Sequence, residues 1–470
     1  MKEIFVGRPE NTHLFTVNGF NYVLDVPSGS LHQLDDDAYK IIEAIMQLEK
    51  ESVSREDLIF SLPDIDSQTL GEVFNELQEL KKLEQLFTSD EIRDNLPKLP
   101  TGLKALCLNI AHDCNLACEY CFAAKGNFGG QKALMSYEVG VKAIDMLIEG
   151  SRHRRHLEID FFGGEPLLNF EVLKELVVYI REKEKETGKI FTLTVTTNAT
   201  LLDDDKITWL NDHDILLVLS LDGRERIQNE LRPTRDGRPT YKQTVERIKS
   251  AVDSREGEGY YVRGTYTREN MDFAADVLHM VKLGFRHVSI EPVVTKNEKF
   301  ALREEDLQRL YGEYDRLAQA YLDAYFSGKP FNFFHFSVDL LKGPCVAKRL
   351  SGCGAGVEYI AVTPEGDIYP CHQFVGLSSF LLGSVHESGI EKQQLVSQFE
   401  EAHVYNKEAC QKCWARFFCS GGCHANAYNF NGDILKPHEF SCELQRKRIE
   451  CSLYIQSQIL SFEQAQEAFR

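Results

Sequence analysis

Three closely spaced cysteines stand in the segment C-N-L-A-C-E-Y-C, which contains Cys114, Cys118 and Cys121 of the 470-residue chain. Three thiolates in one short loop suit a cubane iron–sulfur cluster whose fourth iron stays open to a small molecule. A zinc site is the alternative, but zinc usually takes four ligands, and no fourth cysteine or paired histidine stands at suitable spacing nearby. We therefore predict that these three cysteines hold a 4Fe–4S cluster.

The same loop, with Tyr120 directly before its last cysteine and Phe122 directly after it, resembles the cluster loop of the radical S-adenosylmethionine (radical SAM) enzymes. The resemblance implies that S-adenosylmethionine binds the open iron through its amino and carboxylate groups. One electron from the cluster would then cleave the cofactor, and the resulting radical would take a hydrogen atom from a substrate carbon. A cluster of low potential also implies a protein electron donor such as flavodoxin or ferredoxin.

A glycine-rich turn follows the second predicted strand of the central region, in the sequence Gly163-Gly164-Glu165-Pro166. It resembles the turn that receives the methionine amino group in radical SAM enzymes. Glycines permit close approach of a ligand to the backbone, and proline restricts the exit from the turn.

The fourth predicted strand ends in S-L-D-G, and Arg232 follows downstream, which resembles the serine and arginine that contact the cofactor in related enzymes. Arginine binds a carboxylate by two parallel hydrogen bonds, although Arg235 and Arg238 compete for this role. Glu291, at the end of the sixth strand, could equally be a buried structural carboxylate. The predicted cofactor-binding residues are Tyr120, Phe122, Gly163, Gly164, Glu165, Asn198, Ser220, Asp222, Arg232 and Glu291.

Eight further cysteines lie between residues 345 and 442, and four of them follow the spacing C-x2-C-x5-C-x3-C from residue 410. Eight thiolates match two four-ligand cubanes, whereas a pair of zinc ribbons is the alternative by spacing alone. The pattern resembles the SPASM extension of radical SAM enzymes, which holds two auxiliary 4Fe–4S clusters. The resemblance implies an outer cluster on Cys410, Cys413, Cys419 and Cys442, and an inner cluster on Cys353, Cys371 and Cys423 with Cys345 as the candidate fourth ligand.

If Cys345 is not a ligand, the inner cluster keeps an open iron that could bind a substrate thiolate. With the cluster loop included, the chain is predicted to hold three 4Fe–4S clusters and S-adenosylmethionine.

Alternating strand and helix patterns occupy the middle of the chain. The predicted strands are 104–110, 157–162, 191–196, 215–221, 261–266 and 287–291, and the predicted helices lie near 136–149, 170–186, 203–212, 240–253, 272–283 and 304–326. Strands separated by helices predict parallel pairing with right-handed crossovers, and six units suit an open, partial (βα)6 TIM-like barrel. This α/β fold, which the resemblance also implies, places the cluster loop at the carboxyl end of the first strand.

Residues 1–95 are predicted to form a separate module of three strands (12–17, 20–25, 30–34) and three helices (36–49, 54–61, 67–84). This winged-helix-like pattern resembles the peptide-recognition domain of enzymes that modify ribosomally made peptides, in which a leader peptide adds a strand to the sheet. DNA binding and a purely structural role are the alternatives, and the acidic balance of the segment disfavours DNA.

The predicted domains are peptide recognition (1–95), barrel (100–330), a cysteine-rich iron–sulfur domain (340–450) and a C-terminal helix (451–470). Residues 89–100 are predicted to be a linker, because they are charged and end in prolines. Regular alternation stops after about residue 340, and a final helix is predicted over about 443–468.

The chain has 53 basic and 72 acidic residues, a formal net charge of −19. This charge disfavours general binding to nucleic acid or to anionic membranes. No apolar run reaches the length of a membrane span, and the first residues lack the features of a signal peptide, so we expect a cytoplasmic protein.

Over essentially its full length the chain resembles the thioether-forming maturases of the SCIFF ("six cysteines in forty-five residues") peptides. The resemblance implies a radical SAM oxidoreductase that joins a cysteine sulfur to the α-carbon of another residue in a cysteine-rich precursor peptide with a leader. The alternatives are an enzyme of the anaerobic sulfatase-maturating type, which oxidises cysteine or serine to formylglycine, and a zinc-stabilised scaffold without catalysis. No catalytic base can be named from the sequence.

Overall fold

The structure, a computed structural model, describes residues 3–48, 50–98, 101–338, 340 and 346–468. Its N-terminal module contains a three-stranded antiparallel sheet, a two-stranded ribbon and three helices, followed by one helical turn. These elements are β1 (Glu3–Phe5), β2 (Thr12–Val17), β3 (Phe20–Asp25), β4 (Leu31–Leu34), α1 (Asp36–Gln47), β5 (Ser52–Ser54), α2 (Arg55–Ser61), α3 (Ser67–Lys82) and α4 (Glu91–Asp94).

Capping residues set the starts of the module's helices. Asp35 accepts a hydrogen bond from the Ala38 amide before α1, and Ser54 and Asp57 form a reciprocal capping box at α2. Such side chains satisfy amides that the first helical turn leaves unpaired. The three predicted strands and three predicted helices are confirmed, whereas β1 and β5 were not predicted and the winged-helix identity stays a prediction.

Six parallel strands form the centre of the protein, and they neighbour one another in chain order. The elements of this region are β6 (Ala105–Ala111), α5 (Tyr137–Gly150), β7 (His156–Gly163), α6 (Phe170–Thr187), β8 (Ile190–Thr197), α7 (Asp204–Asp212), β9 (Leu216–Ser220), α8 (Glu225–Leu231), α9 (Tyr241–Asp253), β10 (Tyr260–Tyr266), α10 (Phe273–Lys282), β11 (His287–Pro292), α11 (Leu307–Phe326) and β12 (Asn332–Phe333). The predicted mostly parallel α/β fold is confirmed, and α8 is a helix that the sequence analysis missed.

Alternation along the strands separates a packed outer face from an inner one. On β7, Leu157, Ile159 and Phe161 are buried in the core, while Glu158 and Asp160 line a cavity on the other face. Successive side chains of a strand point to opposite faces, so this arrangement follows from the strand geometry. Polar side chains therefore project from the strands into the cavity on the inner face of the sheet.

The cysteine-rich region continues the barrel sheet instead of forming an independent unit. Its strands extend the β6 edge of the sheet. β13 pairs in parallel with β6, and β14, β15 and β16 follow it in antiparallel pairing. The elements are α12 (Val346–Ser351), β13 (Tyr359–Val362), β14 (Asp367–Tyr369), β15 (Gly383–Ser384), β16 (Gly389–Ile390), α13 (Gln393–Glu400), α14 (Glu408–Gln411), α15 (Arg416–Cys419), α16 (His424–Asn431) and α17 (Glu439–Ala468). This pairing was not predicted, since such short strands carry little periodicity.

The N-terminal module packs against the rest of the chain. Asp90 lies in the predicted linker, and its buried carboxylate pairs with the Arg416 guanidinium at 3.1 Å. That guanidinium also donates to the Glu10 carbonyl oxygen at 3.0 Å and to Asn11 Oδ1 at 2.6 Å. The linker prediction is therefore wrong for its first part, because Asp90 is packed against Arg416. Sequence periodicity could not reveal this contact, since the two residues are 326 positions apart.

The last helix, α17, starts at Glu439, four residues before the predicted start at 443. It packs along α11 and reaches the sheet of the N-terminal module. Among the helices in the described part of the chain, none is both long and apolar enough to cross a lipid bilayer.

Arg416→Met removes the cation and leaves the Asp90 carboxylate buried without its partner. Breaking a buried ion pair in this way costs roughly 3–5 kcal/mol, so we expect a clearly lower thermal unfolding midpoint. Arg226→Met is the matched control, because it breaks an exposed pair with Glu230, and such pairs contribute about 0–1 kcal/mol. Equal midpoints for the two variants in calorimetry would contradict the role given to Arg416.

Candidate active site

The cysteines of the C-x3-C-x2-C loop lie beyond the carboxyl end of β6 and line a cavity of about 630 Å³. Burial raises the pKa of the Cys114 thiol to about 11 and that of Cys118 to about 12. The neighbouring thiol of Cys121 raises both pKa values further. Thiols with such pKa values become thiolates only when a cation binds them, so the donor set fits a metal cluster.

The Gly163–Gly164 turn at the end of β7 packs on the chain segment that enters the cluster loop. Gly163 has φ +126°, and a Cβ atom there would overlap the carbonyl oxygen of Ala111; one at Gly164 would overlap that of Asp113. The amides of Gly164 and Glu165 donate to these two oxygens, each at 2.8 Å. Both glycines are needed for this close approach, and both line the cavity.

Glu165 does not line the cavity, because its buried carboxylate is hydrogen-bonded to other residues of the protein. It accepts hydrogen bonds from the Thr197 hydroxyl at 2.7 Å and the Asn198 amide at 2.8 Å. Asn198 lines the cavity and donates from Nδ2 to Asn115 Oδ1 at 2.9 Å and to the Cys114 sulfur at 3.7 Å. Glu165 thereby orders the end of β8, which in turn holds the cluster loop.

Tyr120 connects the cluster loop to the end of β9. Its hydroxyl donates to Asp222 Oδ2 at 2.6 Å and accepts a hydrogen bond from Arg232 Nη1 at 2.8 Å. Asp222 is fully buried and also accepts from the Thr265 amide at 3.0 Å, so it orients Tyr120 and Arg232 and does not line the cavity.

Arg232 is the arginine whose surroundings fit an anionic ligand. It lines the cavity, and its buried Nε has no hydrogen-bond partner among the described residues. Its two competitors are engaged elsewhere, since Arg235 pairs with Asp113 and Arg238 pairs with Asp236. A guanidinium that lines the cavity and keeps a buried N–H without a partner fits the carboxylate of the methionine part of S-adenosylmethionine.

The other predicted cofactor-binding residues also line the cavity. Phe122 is 52% exposed, with its ring 5.5 Å from that of His372, and Ser220 lies at the end of β9. Glu291 pairs with Arg263. Burial opposes ionisation of Glu291, but Arg263 and His335 hold its pKa down to about 2, so the carboxylate is ionised.

The C-terminal cysteines of the described region fall into two groups by their electrostatic neighbours. Burial raises the pKa of Cys371 to about 12, and Cys423 and Cys353 raise it further. In the other group, burial raises the pKa of Cys410 to about 11 and that of Cys442 to about 12. The neighbours that add to these shifts are Cys419 and Cys413 for Cys410, and Cys419 and Cys410 for Cys442. Apart from Cys345, the two groups contain the same cysteines as the predicted inner and outer sets, and their role as cluster ligands stays a prediction.

The cluster loop and the cysteine-rich region face the same cavity. Its lining includes the three loop cysteines together with Cys353, Cys419, Cys423 and Cys442. Cys345, the candidate fourth inner ligand, lies outside the described residues. Within the described residues, no three His, Cys, Asp or Glu side chains converge so as to hold one single metal ion.

A second cavity of about 840 Å³ extends along the inner face of the barrel and shares Arg263, Glu291, Cys353 and His372 with the first. Asp160 lines this second cavity and accepts a hydrogen bond from the Thr196 hydroxyl at 3.1 Å. Sequence reasoning named neither Asp160 nor Arg263. The signal that could have found them is a charged residue inside an otherwise apolar strand, as in LEIDFF and YVRGTY.

Comparisons with known proteins agree with this geometry. A model of a 4Fe–4S single cluster domain matches residues 101–282, and a model of an iron–sulfur cluster-binding domain, SPASM, matches residues 353–414. The chain is 21% identical to the radical SAM cyclopropyl synthase TigE of Paramaledivibacter caminithermalis, with 95% of this chain and 94% of TigE covered. The chain therefore contains a SPASM iron–sulfur cluster-binding domain, and over nearly its full length it is similar to a radical SAM enzyme.

Other radical SAM proteins match a smaller part of it. The serine-type anaerobic sulfatase-maturating enzyme of Klebsiella aerogenes is 24% identical, with 73% of this chain and 87% of that enzyme covered. The solved structure of native anSMEcpe with bound AdoMet has a similar fold, with a TM-score of 0.62 and 21% identity over 74% of this chain and 97% of that one. The two matching domain models indicate that this chain binds iron–sulfur clusters, including one of the 4Fe–4S type.

Asp160 should make stability depend on pH. Burial raises the pKa of this carboxyl to about 7, against the hydrogen bond from Thr196, so the folded chain holds its proton more tightly than the unfolded chain. The unfolding free energy of the wild type should therefore fall as pH rises from about 4 to about 7. Asp160→Asn removes the titrating carboxyl and with it this loss of stability. The thermal midpoint of the variant minus that of the wild type should therefore increase from pH 5 to pH 8. Glu158→Gln, at an exposed carboxylate of the same strand, is the control; a gain as large there would contradict the assignment.

Arg232→Gln should weaken the binding of S-adenosylmethionine to the reconstituted protein. A hydrogen bond to a charged group contributes about 1.5–3 kcal/mol, which corresponds to a loss of affinity of roughly 10- to 150-fold. Anaerobic calorimetric titration measures this loss directly. Arg238→Gln changes an arginine that is exposed and does not line the cavity, and it should bind the cofactor like the wild type. Similar affinities for the two variants would argue against Arg232.

Proposed function

We propose that this protein is a radical SAM peptide maturase that joins a cysteine sulfur to the α-carbon of another residue in a ribosomally made, cysteine-rich precursor peptide. One observation carries the proposal: the cluster loop and both groups of C-terminal cysteines face a single cavity. A substrate in that cavity would lie between the site of radical formation and the auxiliary iron sites.

We propose three 4Fe–4S clusters, held by Cys114, Cys118 and Cys121, by the inner group and by the outer group. When bound, these clusters and S-adenosylmethionine supply hydrogen-atom abstraction from the substrate and accept one electron from it. Tyr120, Asp222 and Arg232 would orient the cofactor's carboxylate, and the Gly163–Gly164 turn would hold the cluster loop beside it and line the same cavity. An electron donor such as flavodoxin or ferredoxin completes the system.

The reaction also needs a group that accepts the proton of the substrate thiol. Formation of the C–S bond removes a hydrogen atom from the α-carbon, a proton from the thiol and one electron. We propose Asp160 as the proton acceptor, because it lines the inner cavity with Cys353 and its pKa of about 7 lies close to neutrality. A base is most effective when its pKa lies near the working pH, and Glu291, with a pKa of about 2, is a weaker base.

The N-terminal module is the proposed site of leader capture. In the described part of the chain β4 is an edge strand, with β3 on one side and no strand paired on the other. An extended peptide can add to such an edge by main-chain hydrogen bonds. The match to TigE covers 95% of this chain, so it extends over most of this module as well. This coverage supports a role of the module in the proposed activity.

Oxidation of cysteine or serine to formylglycine is the second candidate, and the sulfatase-maturating relatives favour it. The Klebsiella aerogenes match leaves about a quarter of this chain uncovered, whereas the TigE match leaves about a twentieth. We infer that the activity uses the whole chain, including the N-terminal module, and on this ground we prefer modification of a leader-bearing peptide to formylglycine formation.

Mass spectrometry of a cysteine-rich peptide with its leader, incubated with reductant and S-adenosylmethionine, distinguishes the two reactions. Cross-linking should remove two hydrogens and protect one thiol from alkylation, whereas formylglycine should give an aldehyde that reacts with a hydrazide. A peptide that carries the aldehyde and no cross-link would refute the proposal.

Asp160→Asn should slow cross-linking about 10²- to 10⁴-fold while cleavage of S-adenosylmethionine continues, because proton transfer to a positioned base contributes a factor of this size. Glu158→Gln removes a neighbouring carboxylate on the same strand and should keep most of the activity. Product yields and 5′-deoxyadenosine are quantified together. If Asp160→Asn cross-links at the wild-type rate, the proton acceptor is another group.

A further inference from the structure

Lys407 is completely buried between the two groups of C-terminal cysteines. Its strongest electrostatic neighbours are thiols from both groups, Cys410 and Cys419 of the outer group and Cys353 and Cys423 of the inner group. No carboxylate within the described ranges forms an ion pair with it. A buried charge is costly unless an opposite charge lies close, so this lysine points to negative charge on both sides.

Two hydrogen bonds fix the position of the ammonium group. Nζ donates to the Gly421 carbonyl oxygen at 2.7 Å and to His424 Nδ1 at 3.4 Å. An ammonium group has three N–H donors, so among the described residues one donor remains for cysteine sulfur. Arg446, another cation beside the outer group, differs because Glu439 and Glu443 already neutralise it, at 2.9 and 2.5 Å.

We propose that Lys407 compensates the charge of both auxiliary clusters at once and raises the reduction potential of both. The inference rests on the two auxiliary clusters of the proposed function. A cubane with four thiolate ligands is an anion, and a nearby cation favours its reduced, more negative form. Higher potentials suit clusters that accept the electron released when the C–S bond forms.

Redox titrations followed by electron paramagnetic resonance test this role without any peptide. The triple substitution Cys114→Ala, Cys118→Ala and Cys121→Ala removes the cluster-loop signal, so that only auxiliary clusters contribute. In this background Lys407→Gln and Lys407→Met remove the charge, and Lys407→Arg keeps it. We expect both auxiliary potentials to become more negative in the neutral variants and to return towards the wild-type values in the arginine variant.

Lys412→Met is the matched control, because it removes the same charge from an exposed position between Cys410 and Cys413. Water screens that charge, so its removal should shift the potentials less. The proposal is overturned if the neutral Lys407 variants shift neither potential, shift only one, or shift them no more than Lys412→Met does. If the neutral variants fail to assemble iron while Lys407→Arg assembles it, the requirement for a positive charge is supported.

Iron content separates this proposal from the proposed function. Wild-type protein should bind about twelve irons, four for each of three cubanes. A wild-type protein without auxiliary clusters would end the proposed function. If the auxiliary clusters are present but their reduction potentials do not change in the neutral Lys407 variants, only the role of Lys407 is refuted.

Discussion

Burial of thiols is the physical constraint on which this structure depends. Removal from water raises the pKa of Cys114, Cys118, Cys371 and Cys442 to between about 11 and 12, so without a cation they stay protonated. Metal clusters resolve this cost, because iron binds the thiolate form. The same burial explains why cations such as Arg232 and Lys407 stand beside the sulfur atoms.

The cavity between the cysteine groups is built by two different structural devices. On the barrel side, parallel strands bring their carboxyl ends together, and close packing of the glycine turn on the cluster loop sets the loop's position. On the other side, β13 pairs with β6, so the cysteine-rich region is attached to the barrel by backbone hydrogen bonds. The two iron-binding regions are therefore held in one sheet, which limits their relative motion.

The buried cation of Arg416 is one of several contacts that join the N-terminal module to the auxiliary region; others are the hydrogen bond from Tyr405 to Asp90 and the stacking of His13 on Trp414. Arg416 stands between Cys413 and Cys419 in sequence and binds Glu10, Asn11 and Asp90 of the module. The module that carries the proposed site of leader capture is thus in direct contact with the chain segment that contains the outer group of cysteines. A peptide held by the module would be presented to a site whose position relative to it is defined.

Sequence by itself determined the local features of this protein. Strand and helix patterns follow from periodicity and capping, and the cluster loop, glycine turn and C-terminal cysteines follow from spacing within short segments. Only the tertiary structure decided which residues line the cavity. It moved Glu165 and Asp222 into supporting positions, selected Arg232 over Arg235 and Arg238, and added Asp160 and Arg263. The reason is physical: burial and the choice of partner depend on chain segments that are distant in sequence, and local periodicity carries no record of them.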